Sequence, residues 1–138
     1  MSASRGNCKH EVVSVTALCL MLFLVAFALT ACGRQPSLSL DEIREVRFTD
    51  LFSGKSWPAS EAEVRLLVEF YSEAENLNDD FGTTPPARID IVVKSGENLV
   101  VWGGGQTYQT VCKGDREYNI ESSGLHQMLQ EIVARGQR

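Results

Sequence analysis

Residues Ala17 to Leu29 form an uninterrupted run of 13 apolar residues, the most lopsided stretch in this 138-residue chain. A helix at the surface of a small soluble domain needs a polar face, and this run offers none. Arg5 and Lys9 precede it, giving the basic start and apolar core of a secretory signal, whose h-region spans roughly 7–15 residues. Counted back to Val12 it reaches 18 residues, close to the roughly 20 that cross a bilayer, so a retained membrane anchor is the competing reading. Either way the run is expected to stand apart from the folded body, and the composition divides there. Of the first 31 residues 20 are apolar, against 40 of the remaining 107. That body has 11 basic and 17 acidic residues, a net charge of −6. It is long enough for one domain and too acidic, with no basic run, to suit nucleic acid.

The residues just after the run decide between the two readings. Leu29-Thr30-Ala31-Cys32 places two small residues before a cysteine, with Gly33 after it. This resembles the lipobox of bacterial lipoproteins. The resemblance implies cleavage between Ala31 and Cys32 and a diacylglyceryl thioether on Cys32. The chemistry suits the residues: a thiol is nucleophilic enough to take the lipid, and two acyl chains give durable anchoring where one gives only reversible binding. Residues 1–31 then read as a signal peptide, 32–39 as a lipidated cysteine and tether, and 40–138 as a single domain. The resemblance implies an extracytoplasmic protein, anchored to the bacterial membrane by lipid such as palmitate. Cys8 and Cys19 would leave with the leader, so Cys112 is expected to be alone, a small buried hydrophobe rather than a reactive thiol.

The body alternates between two periods. In Ile43 to Asp50, Val46 and Phe48 alternate with Arg47 and Thr49, the signature of a strand with one buried face. Ser60 and Glu63 have capping-box spacing, and Val64, Leu67, Val68, Tyr71 and Ala74 recur at helical intervals, predicting a helix over about 61–76. Four short strands are expected next, at 88–94, 99–102, 107–112 and 117–120, separated by Ser95-Gly96-Glu97-Asn98, Gly103 to Gly105, and Lys113-Gly114-Asp115-Arg116. Leu125, Met128, Leu129, Ile132 and Val133 then mark a final helix capped by Ser122 or Ser123, with Gly136 at the position of a C-terminal cap. The order β-α-β-β-β-β-α, with one apolar face on each helix, predicts an α+β fold: a small antiparallel sheet with both helices packed on one face.

Catalytic chemistry finds few parts in this sequence. His126 lies on the flank of the last helix without a sequence-evident partner, and no nucleophile or zinc motif accompanies it. Asn76, Asn78 and Asp80 alternate like calcium-loop ligands, but Phe81 stands where such a loop needs Gly and Ala87 where it needs Glu. Gly103-Gly104-Gly105 lacks the Lys-Ser/Thr pair of a phosphate cradle and reads as a flexible hairpin loop. Trp102 and Tyr108 flank that loop and, with Gln106 and Gln109, are the candidate ligand-binding surface for a sugar, peptide or protein; the bland alternative is a cross-strand packing pair. No metal or cofactor is expected. The chain thus reads as a binding or envelope-interaction module. An accessory or inhibitory subunit of an envelope complex is the alternative, and an enzyme using scattered residues such as Asp79, Asp80 and His126 a third class.

Overall fold

The computed structural model describes residues 33–78 and 84–138. The leader, Ala31, Cys32, Asp79 and Asp80 lie outside them. Residues Gln35–Arg138 form one compact unit. Its sheet is built from β1 (Ile43–Asp50), β2 (Ser56–Pro58), β3 (Glu75–Leu77), β4 (Ala87–Val93), β5 (Asn98–Gly103), β6 (Tyr108–Lys113) and β7 (Arg116–Glu121). The helices are α1 (Glu61–Ser72) and α2 (Ser123–Gly136). Every strand pairing is antiparallel, in the order β2-β1-β4-β5-β6-β7-β3. The α+β architecture expected from the sequence is therefore present, extended by a three-residue strand at each edge.

Strand alternation sorts the side chains into two faces. Trp57, Phe48, Ile89, Val101, Val111 and Tyr118 pair in succession across six strands. Val46, Ile91 and Leu99 form a second row. Both helices cover this face: α2 lays Leu129 against Gly103 and Gly104, while Leu67 and Tyr71 of α1 join the same buried core. The helices run antiparallel to each other. Glu63 near the start of α1 meets Arg135 near the end of α2 at 2.9 Å, and Phe70 near the end of α1 packs on Gly124 near the start of α2.

The local signals explain where the helices begin. The Ser60 hydroxyl accepts the Glu63 N–H at 3.3 Å, while the Glu63 carboxylate accepts the Ser60 N–H at 2.7 Å, closing the capping box. Ser122, rather than Ser123, caps α2, its hydroxyl accepting the Leu125 N–H at 3.2 Å. The end of α1 differs from expectation. It stops at Ser72 rather than about residue 76, because Glu75–Leu77 turn extended and pair with Asn119–Glu121 of β7. Gly136 also plays another part: it is the last residue of α2, and a side chain there would strike the Asp50 carboxyl. It is needed for close approach, not for a left-handed cap.

The segment before β1, read from the sequence as tether, is held on the domain from Gln35 onward. The Gln35 N–H donates to Asn76 Oδ1 at 2.9 Å, and its side-chain amide donates to the Tyr71 carbonyl at 3.0 Å. The Tyr71 hydroxyl donates to the Pro36 carbonyl at 2.7 Å. Leu38 enters the core with 8% of its surface exposed, and a 3-10 turn, Leu40–Glu42, leads into β1.

Candidate functional site

The face of the sheet turned away from the helices carries the residues singled out by sequence. Here the register sets up a polar and aromatic ladder: Ser56, Thr49, Arg88, Trp102, Thr110, Asn119 and Leu77 lie side by side across all seven strands. Three of its neighbouring pairs are in direct contact. The Thr49 hydroxyl donates to Ser56 Oγ at 3.1 Å, and the Thr110 hydroxyl donates to Asn119 Oδ1 at 2.9 Å. The Arg88 guanidinium stands over the Trp102 ring, 5.4 Å from its centroid, and donates to Asp90 Oδ2 at 2.8 Å. Arg88 is thereby fixed between a π face and a carboxylate, an arrangement that orders a side chain otherwise rich in rotamers.

Tyr108 belongs to the same face, two residues along β6 from Thr110, so the structure brings the two predicted aromatics onto one surface. Both are half-buried. Gln109 does not join them. It alternates to the helix side, is fully buried, and accepts the Ser122 N–H at 3.0 Å while donating to the Thr107 carbonyl at 2.8 Å. Gln106 is exposed in the β5–β6 loop. Arg88 and Asp90 were missed in the sequence because their place beside Trp102 follows from a pairing between strands. The odd–even alternation of β6 was the signal that separates Gln109 from Tyr108.

The glycines of the β5–β6 loop also have a tighter role than a flexible hairpin. A Cβ on Gly103 would lie 2.9 Å from Leu129 Cδ1, and Gly104, at φ +97°, and Gly105 both abut Pro86. These positions let α2 and the chain entering β4 approach the sheet end.

Cys112 is half-buried on the helix-free face, next to Val100 in the register. Burial pushes its thiol pKa up, the Glu117 carboxylate pushes the same way, and a hydrogen bond with Trp102 opposes them. The thiolate is disfavoured at this position, in the row of side chains beside the ladder. His126 is half-buried, with Nδ1 buried and without a hydrogen-bond partner. Asp79 and Asp80 lie outside the described residues, as does Ala31-Cys32. Among the described residues no group of three or more His, Cys, Asp or Glu is placed to hold a metal ion. What this face offers chemically is a fixed cation, a carboxylate, hydroxyls, an amide and two aromatic rings on a broad surface.

On the opposite side, α1 and α2 enclose a groove of about 370 Å³ with Phe48, Trp57, Phe70, Met128 and Ile132 among its walls. Arg135 crosses its rim, paired with Glu63 and 5.0 Å from the Trp57 ring centroid.

No protein-family model matches this chain, and no curated protein matches it. Among solved structures, it is similar to a protein of Clostridium perfringens described provisionally as a lipoprotein. The two share 17% identity and superpose with a TM-score of 0.55 over 65% of this chain and 84% of the other. At that identity the likeness shows a shared fold.

Proposed function

We propose that this chain is a bacterial envelope lipoprotein, cleaved before Cys32 and anchored outside the cytoplasm by lipid on that residue, whose domain is a binding or envelope-interaction module. The observation that carries the anchoring is the sequence of features in the leader: basic residues, the apolar run to Leu29, then Thr30-Ala31-Cys32-Gly33. The clostridial protein of the same fold, itself described as a lipoprotein, supports the reading. In cells fed labelled palmitate, wild-type protein should take up the label and Cys32→Ala should not. Label retained by Cys32→Ala would overturn the assignment.

The contact surface in this reading is the ladder around Trp102 and Tyr108. Its fixed Arg88–Asp90 pair beside an indole provides directional polar contacts and apolar area on one rigid face, the combination that protein and ligand surfaces use for recognition. A photo-crosslinking residue at Thr110, in the centre of the ladder, should capture a partner in intact cells, and Trp102→Ala should abolish the capture. Recovery of a stoichiometric complex would favour the accessory-subunit form of the proposal over a free-standing binder.

A further inference from the structure

We infer that the docked segment Gln35–Ser39 is a strap that turns the β3 edge of the sheet toward the bilayer and carries the β1–β2 turn away from it. The inference rests on the lipid-anchored reading and concerns where the domain is held.

A free tether from Cys32 to the first strand would let the domain tumble. The structure removes most of that freedom. Gln35 is bound to Asn76 of β3 and to the end of α1, and Pro36 is bound by the Tyr71 hydroxyl. Tyr71 is 1% exposed, so the strap is fastened to the core itself. Three chain steps separate Cys32 from Gln35, a reach of about 11 Å at full extension. The point where the domain is held is thus the β3 edge, which exposes Glu73, Glu75 and Glu121.

At the other edge, the turn between β1 and β2 presents Leu51 and Phe52, the latter 73% exposed. Six strand spacings of about 4.8 Å put that edge about 29 Å across the sheet from β3. The turn is also rigid: the Asp50 carboxylate accepts the N–H groups of Phe52 and Ser53 at 3.1 and 3.2 Å, and the Leu51 N–H donates to the Pro86 carbonyl at 2.9 Å. An exposed aromatic on a turn is often taken for a membrane wedge. Its distance from Gln35, where the strap is fastened, instead assigns this one to the outward side, within reach of envelope partners.

A genetically encoded fluorescent amino acid at Glu75 or at Phe52, in protein anchored on phosphatidylcholine vesicles containing headgroup-nitroxide lipid, tests this. Quenching should be several-fold stronger at Glu75 than at Phe52, and a long Gly-Ser insertion between Gly33 and Arg34 should bring the two toward equality. Equal quenching without the insertion, or an unchanged contrast with it, overturns the strap. Gln35–Arg138 form one compact unit, so the measurement can be repeated on a chain held at residue 32 by a histidine tag on nickel-chelating lipid. Contrast in the tagged chain, with no palmitate label on the wild type, would sink the lipid-anchor reading while keeping the strap. Its absence in the tagged chain sinks the strap whatever the label shows.

Discussion

Single residues in this domain are held by contacts too close to accept even a methyl group. Gly124 has Phe70 ring atoms where its Cβ would be, and Gly136 has the Asp50 carboxyl. Gly124→Ala and Gly136→Ala should each lower stability by about 1–3 kcal/mol, the usual cost of overpacking, read as a fall in the urea midpoint. The gain from replacing a helical glycine by alanine, about 1 kcal/mol elsewhere, should not appear. Asp50 sets a pH limit as well. Hydrogen bonds from the Ser53 hydroxyl and from the Phe52 and Ser53 N–H groups hold its carboxyl below the ordinary value, against the opposing effect of burial. A depressed folded-state pKa means the stabilisation is present above the unfolded value, near 4, and is lost as pH falls through the folded one. Asp50→Asn should therefore flatten the acid limb of a stability–pH profile below about pH 4. An unchanged limb would show that other carboxylates dominate acid unfolding.

At the scale of elements, the two helix starts differ in what surrounds them. Ser60 is exposed, whereas Ser122 is 9% exposed and its N–H is bound by buried Gln109. Ser60→Ala should cost about 1 kcal/mol, a typical cap loss, and Ser122→Ala about 1–2 kcal/mol because water cannot replace its hydroxyl so readily. Equal losses in chemical denaturation would mean that burial adds nothing to the Ser122 cap. These helix starts were legible in the sequence, since caps and helical periodicity act within a few residues. So were Val46 and Phe48 in β1 and Ile89 and Ile91 in β4, whose alternation matches the buried face. Edge strands β2 and β3 were not. Ser56-Trp57-Pro58 and Glu75-Asn76-Leu77 lack an apolar alternation, and become strands because β1 and β7 offer unpaired backbone groups. The candidate site was legible by half. Trp102 and Tyr108 stood out by type, but their company depended on register, which joined Arg88 to the indole and sent Gln109 to the other face.

For the whole molecule, the order of pairing determines what must be present before any core exists. β4 to β7 are neighbours both in sequence and in space, whereas β1 must find β4 across the intervening helix and β3. Such long closures are slow relative to hairpins. Part of the cover over the row from Phe48 to Val111 comes from α2, which carries Leu125, Leu129 and Ile132. A chain ending at Ser122 should accordingly lack a cooperative thermal transition and bind a hydrophobic dye, while Tyr71→Phe, losing only the bond to Pro36, should remain folded and lose about 0.5–1.5 kcal/mol. A cooperative transition in the truncated chain would show that α1 alone closes the core.

The placement of α2 after every strand also has a temporal meaning. If the chain is threaded across a membrane from its N-terminus, α2 emerges after the whole sheet. In the proposed lipid-anchored reading the N-terminus would be held before the core closes, so that folding would happen on a fixed support. Strap and core form against one another there, with Tyr71 joining the two.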